Sequence, residues 1–118
     1  MNKENNENKE NKENEKEKVK TILKRYPDKV PVIVKKEPRS SVQEIDRKKF
    51  LVPIDLSFAQ FIHVIRKRVQ MTPEKAIFVY AGNHLVSSSL TMQEVYEMYK
   101  DKKDDLLYVT YASENTFG

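Results

Sequence analysis

Apolar positions change their spacing several times along the chain, and each change marks a structural element. Residues 2–17 contain no apolar position. Val19, Ile22, Leu23 and Tyr26 then fall at i, i+3, i+4 and i+7, the spacing of one helical face. Glu13, Glu15 and Glu17 precede this stripe and Lys24 and Arg25 close it, the polarity that suits a helix dipole. Pro27 ends that helix at or before Tyr26. Val30 to Lys36 reads as a strand, with Pro31 tolerated near its start, and Glu37-Pro38-Arg39-Ser40-Ser41 reads as a loop. Lys48 to Pro53 is a second short strand. Ser57 is a candidate N-cap for a helix whose Phe58, Phe61, Ile62, Ile65 and Val69 form one stripe, with Arg66, Lys67, Arg68 and Gln70 on the wet side. Pro73 breaks it. Ala76 to Tyr80 is a third strand, Gly82-Asn83 is turn chemistry, and Thr91 with Glu94 is a capping box opening a helix through Tyr99. Leu106 to Tyr111 is the last strand.

The order helix, strand, strand, helix, strand, helix, strand predicts an α+β domain. Two hairpin-like strands, a helix crossing the sheet and a late strand returning to its centre describe a ubiquitin-like β-grasp. In the first strand Val30, Val32 and Val34 share one face while Pro31 and Ile33 share the other. Both faces are apolar, so both need cover. The Phe58–Val69 helix covers one, and an additional N-terminal helix, Val19 to Tyr26, packs on the sheet and covers the other.

Composition sharpens the boundaries. Of 118 residues, the first 17 are Met, six Asn, four Lys and six Glu, a net −2 that leaves +6 on the remainder of this +4 chain. Such a segment lacks the apolar area to offset the entropy of ordering. The expected organisation is a disordered charged arm over 1–17, one domain over 18–112 and a flexible tail over 113–118. The absence of cysteine excludes thiol catalysis, a thioester relay on this chain, disulfides and thiolate metal sites. No apolar run approaches the roughly 20 residues of a membrane span. The start is too polar for a signal peptide and too rich in Glu for a transit peptide, so the cytoplasm is the expected location. His63 and His84 lie at no recognisable catalytic spacing from Ser or carboxylates. No catalytic residue, metal or cofactor is expected.

Several stretches, in order and at near-family spacing, carry a specific resemblance: Val30-Pro31-Val32-Ile33, Glu44 to Pro53 (EIDRKKFLVP), Val64-Ile65-Arg66-Lys67-Arg68, Pro73 to Phe78 (PEKAIF), Leu107-Tyr108-Val109-Thr110-Tyr111, and Glu114-Asn115-Thr116-Phe117-Gly118. Over residues 18–118 the chain resembles the autophagy ubiquitin-like modifiers, the GABARAP and microtubule-associated protein light-chain family. The resemblance implies a tag and not an enzyme. An E1-like enzyme activates its terminal glycine, an E2-like enzyme receives it, and phosphatidylethanolamine takes it in an amide. It also implies a processing or deconjugating cysteine protease, residence on the autophagosomal membrane when lipidated, and autophagy receptors bearing short aromatic-x-x-aliphatic motifs. The lipid-conjugation residue would be Gly118. A glycine carboxyl has no Cβ to hinder threading into an activating site.

The second strand of such a fold lies at a sheet edge, where unpaired backbone groups invite β-augmentation. Alternation puts Lys49 and Leu51 on one face and Phe50 and Val52 on the other. A first pocket is thus expected from Ile22, Pro31, Ile33, Leu51 and Leu106, and the resemblance implies a peptide-binding role for it, with Lys49 and Leu51 on its edge. A second is expected from Phe50, Val52, Pro53, Leu56, Phe61 and Val64. Lys29, Arg47, Lys48 and Arg68 form a basic rim that favours acidic residues beside the ligand motif. Anchors three apart on a bound strand point to opposite faces, which accounts for the motif's spacing. The chain departs from the family at Lys18, commonly acidic, and at Leu106, commonly Phe, and residues 1–17 show no counterpart of the family's first helix. The alternative is an unconjugated interaction domain binding proteins or nucleic acid. Nucleic acid is the disfavoured partner, since basic residues alternate with acids and no aromatic platform motif is present.

Overall fold

The structure, a computed structural model, describes the backbone of residues 2–113 and the side chains of residues 14–113. Its elements are α1 (Asn2–Arg25), β1 (Lys29–Lys36), β2 (Lys49–Pro53), α2 (Phe58–Val69), β3 (Phe78–Ala81), β4 (His84–Leu85), α3 (Met92–Tyr99) and β5 (Leu107–Ala112). They form one five-stranded sheet in the order β2-β1-β5-β3-β4. The first and last strands run parallel at its centre, Val32 opposite Leu107 and Val34 opposite Val109, and every other pairing is antiparallel. This is the ubiquitin-like β-grasp that the order of elements predicts.

Period-two burial builds the core. Val30, Val32 and Val34 of β1 and Leu107, Val109 and Tyr111 of β5 are buried, as are Phe58, Phe61, Ile65 and Val69 of α2. Buried Val19 seats α1 toward the opposite face, where Pro31 is buried and Ile33 half-buried. Both faces of β1 are therefore covered, as its sequence requires.

The starts of α2 and α3 are capped as the sequence predicts. The Ser57 hydroxyl accepts from the Gln60 backbone N–H at 3.1 Å and the Gln60 side-chain Oε1 accepts from the Ser57 backbone N–H at 2.9 Å. Thr91 and Glu94 repeat the exchange at 3.2 and 3.0 Å. The two starts are also stitched together: Phe58 N–H donates to Leu90 O at 2.8 Å and Met92 N–H to Leu56 O at 2.7 Å. Neighbouring backbone thus satisfies two of the donors that helix ends leave unpaired.

Four expectations need correction. Helix α1 begins at Asn2, earlier than the start near Lys18 that the apolar stripe marks. Residues 1–17 hold no Gly or Pro and are rich in Lys and Glu, good helix formers. Extending a helix from a turn already anchored at Val19 also avoids the cost of nucleation. Moreover, Lys16 Nζ reaches Lys102 O at 3.3 Å, so contact with the domain begins before residue 18. Helix α2 stops at Gln70, in the left-handed region at φ 59°, and not at Pro73. The Gln70 N–H closes the last turn on Arg66 O and Lys67 O. Strand β3 starts at Phe78 and not Ala76, because its partner β5 ends at Ala112, opposite Phe78. Finally β4, two exposed residues pairing with Tyr80 and Ala81 across Gly82 (φ 60°), is too short to leave a periodic signal.

Candidate functional site

Strand β2 is an outer strand of the sheet, as expected for a docking edge. The phase of its ladder follows from two bonds, Val34 N–H to Lys48 O at 2.7 Å and Ile54 N–H to Asp28 O at 3.0 Å. Antiparallel pairs alternate between bonded and non-bonded, so Phe50 and Val52 bond inward to β1. The backbones of Lys49, Leu51 and Pro53 then turn outward. Pro31, which has no N–H, sits opposite Leu51 in a non-bonded pair where none is needed. One outward acceptor is already engaged: Arg47 Nε donates to Lys49 O at 2.9 Å.

Beside this edge lies a cavity of about 270 Å³ between α1, β1, β2 and the start of β5. All six residues expected in the first pocket, Ile22, Pro31, Ile33, Lys49, Leu51 and Leu106, line it. Leu51 is 38% exposed although apolar, a side chain left for something else to cover. Leu106 is held in place by its own loop. Asp104, nearly buried, accepts from the Leu106 N–H at 2.9 Å and from the Tyr108 hydroxyl, and Tyr96 donates to Asp105 O at 2.5 Å. Burial, then the Asp105 and Asp104 carboxylates, push the Tyr96 phenol up to about 12. Burial and the bond to Asp104 push Tyr108 higher still. Both phenols stay protonated as donors, and the 101–105 turn stays fastened to α3 and β5.

The second group is gathered less completely. Val52 and Phe61 are core side chains at 3% and 1% exposure, so they form a floor and do not line an open pocket. The alternation that sent Val52 inward could not say how deep it would go. Phe50 is half-buried, edge-on to Phe61 at 5.8 Å between ring centroids. Leu56 is half-buried, Pro53 exposed, and Val64 exposed at 36%. Of the basic rim, Arg47 and Arg68 lie over the Phe50 ring at 5.4 and 5.5 Å, a cation–π arrangement. Arg68 also pairs with Asp46 at 3.3 Å. Lys48 is exposed and Lys29 half-buried.

Sequence reasoning missed Glu15. It lines the first cavity beside Lys18, its partner at 3.4 Å, and so returns a carboxylate to the pocket where Lys18 departs from the family's acidic residue. The i, i+3 spacing of Glu15 and Lys18 carried the signal, hidden because the residue fell in the segment read as disordered. Gly118 lies outside the described residues. Among the described residues no cluster of His, Cys, Asp or Glu is arranged to hold a metal, and no helix is long and apolar enough to cross a membrane.

Fold and edge together define a ubiquitin-like protein with a pocketed outer strand. The family model described as "Autophagy protein Atg8 ubiquitin like" matches residues 13–118. Autophagy-related protein 8d of Arabidopsis thaliana is 50% identical over 97 residues, covering 82% of this chain and 80% of that protein. Autophagy-related protein 8 of Mycosarcoma maydis is 47% identical over 103 residues, covering 87% and 86%. The crystal structure of Trypanosoma brucei ATG8 superposes with a TM-score of 0.80 at 43% identity, covering 91% of each chain. The chain belongs to the Atg8 family, the ubiquitin-like proteins of autophagy.

Proposed function

We propose that this chain is a ubiquitin-like modifier joined through the Gly118 carboxyl to the amine of phosphatidylethanolamine, and that its β2 edge recruits partners bearing an aromatic-x-x-aliphatic motif. The observation that carries the docking half is the outward-turned backbone of Lys49 and Leu51 beside a cavity lined by six expected residues. A peptide strand added there gains main-chain hydrogen bonds from the edge and specificity from its alternate side chains. Its aromatic anchor fills the α1-side cavity, and the aliphatic one, three residues on, meets the opposite face at Phe50, Leu56 and Val64.

The conjugation half is supported by a family match that runs through Gly118 and by the chemistry of a glycine carboxyl. An E1-like enzyme adenylates the carboxylate, and its thiolate displaces AMP to give a thioester. The E2-like enzyme takes the acyl group by thiol exchange. The lipid amine then attacks the carbonyl, the thiolate leaves, and an amide forms with loss of one proton from nitrogen. Two acyl chains would hold the product on the membrane stably, where one gives only marginal binding. In this reading the chain resides in the cytoplasm until lipidated and on autophagosomal membrane afterwards, and a cysteine protease reverses the amide.

The test is reconstitution with the cognate E1-like and E2-like enzymes, ATP and phosphatidylethanolamine vesicles. The intact chain should gain the mass of the lipid less one water, and a chain lacking Gly118 should gain nothing. Equal lipidation of both forms would remove Gly118 from the mechanism. Peptide binding indifferent to Gly118, with no adduct under any condition, would leave an unconjugated interaction domain.

A further inference from the structure

The loop that follows β1 holds a polar cluster that neither the core nor the peptide edge uses. Glu37 and Ser40 are nearly buried, at 7% and 6% exposure. Lys36, the last residue of β1, turns its ammonium under the loop and donates to Ser40 O at 2.8 Å, Glu37 O at 3.1 Å and Pro38 O at 3.4 Å. An ammonium has three donors, so all three are spent on this loop. The Glu37 carboxylate accepts from the Arg39 N–H at 2.9 Å and from Arg39 Nε at 3.3 Å. Glu37 N–H donates to Tyr111 O at 2.8 Å, tying the loop to β5. Charge-assisted bonds, stronger than neutral ones, therefore hold residues 37–40 closed.

What the closed loop presents is the Ser40 hydroxyl. It accepts from the Ser113 N–H at 3.2 Å and lies 3.4 Å from the Ser113 hydroxyl, across 73 positions of sequence. Ser113 is the first residue after β5. The ladder has run out by then, ending at Tyr111 on the β1 side and at Ala112 on the β3 side. The Ser40 contacts thus carry order one residue beyond the sheet, at the point where the chain departs toward Gly118.

We infer that residues 36–40 are a clamp that sets the direction in which the chain leaves β5, with Ser40 as the positioning residue and Lys36 as its brace. The inference rests on the proposed conjugation and deepens it. A fixed departure narrows the directions in which Gly118 is offered to the activating enzymes, which raises its effective concentration at their active sites.

Amide hydrogen exchange at Ser113, followed by NMR on the full chain, tests the clamp without any partner enzyme. The wild-type Ser113 amide should be protected. In Ser40→Ala that protection should fall about tenfold, the factor one hydrogen bond of ordinary net strength supplies. Ser40→Thr, which keeps the hydroxyl, should retain it, and Lys36→Met, which keeps the stem without the charge, should lose part of it. In the reconstituted reaction Ser40→Ala should lower the initial rate of adduct formation severalfold while thermal unfolding stays cooperative. An unprotected Ser113 amide in the wild type, or equal protection in Ser40→Ala, overturns the clamp. Lost protection with an unchanged reaction rate overturns its positioning role. A wild-type chain that forms no adduct defeats the conjugation reading alone, because exchange at Ser113 still reports on the clamp.

Discussion

Replacing Leu51 by alanine tests the proposed docking edge, because the side chain is 38% exposed in the free protein and lines the first cavity. Full burial of a Leu side chain stabilises by about 1.5–3 kcal/mol. The exposed share, covered only when a peptide adds to β2, therefore contributes about 0.6–1.1 kcal/mol to binding. Truncation also leaves part of the ligand's aromatic ring without a wall, which adds a cavity term. The expected loss is at least about 1 kcal/mol, or roughly fivefold in Kd. Isothermal calorimetry with a synthetic aromatic-x-x-aliphatic peptide measures it. Leu85→Ala, on the opposite edge at 65% exposure, is the matched control and should leave the affinity unchanged. Thermal unfolding of Leu51→Ala should stay cooperative with a lowered midpoint, since the share of the side chain already covered in the free protein contributes about 0.9–1.9 kcal/mol to the fold. A Kd within twofold of wild type would refute the assignment of the cavity, and an equal loss in Leu85→Ala would refute its localisation to β2.

Tyr111→Phe should lower folding stability by about 1–3 kcal/mol, the cost of an unsatisfied buried donor, because the hydroxyl accepts from Ile45 N–H at 2.7 Å and donates to Gln43 O at 2.9 Å. Urea denaturation checks this, and an unchanged midpoint would contradict it. Raising salt from low to several hundred millimolar should slow peptide association more than it speeds dissociation, since Lys29, Lys48 and Lys49 act at a distance that counterions screen. Stopped-flow measurement reads both rates, and a salt-independent association rate would dismiss the basic rim. Glu94 is held below the ordinary carboxylate range, first by the Thr91 backbone N–H and then by the Thr91 hydroxyl. Its stabilising contribution is full above the unfolded value of 4.5 and disappears as pH falls through the lower folded value. Glu94→Gln, which keeps the acceptor and loses the charge, should therefore flatten the acid arm of a urea-midpoint profile between neutral pH and pH 3; parallel profiles would show the cap is not titrating.

Local rules account for what could be read before folding. Period two in Val30-Pro31-Val32-Ile33-Val34, the Thr91–Glu94 box and the Ser57 cap are short-range facts, and the chain obeys them. The first pocket was legible for a related reason. Parity puts Lys49 and Leu51 on one face with Ile22, Pro31, Ile33 and Leu106 within reach, and family resemblance supplied the binding role. What escaped depends on depth and on contact across long separations. Parity sends Phe61 and Val52 to one side without saying that both are sealed into the core. Glu15 reaches the cavity only because α1 extends back through a segment with no apolar residue to announce it. The Ser40–Ser113 contact joins two small polar residues that carry no pattern at all.

An exposed outer strand beside an apolar cavity is ordinarily a liability, open to pairing with any passing chain. Three features of β2 narrow what can pair with it. Lys49 places a charge on the strand itself, Pro53 offers no N–H, and Arg47 occupies the Lys49 carbonyl at 2.9 Å. A neutral or basic segment approaching this edge would meet the exposed Lys48 and Lys49 side chains and would have to displace the Arg47 bond without offering an anion in exchange. In the proposed docking a segment flanked by acidic residues offers that anion, so the cations deter indiscriminate partners and favour acidic-flanked ones at once. The Glu15–Lys18 pair limits the selection within the cavity, where a carboxylate at 3.4 Å already partners one of the cations. In the proposed docking, specificity at this edge comes from two separate sources, the apolar volume that takes the anchor side chain and the outer cations that read its flanks. Leu51→Ala perturbs the first and salt perturbs the second.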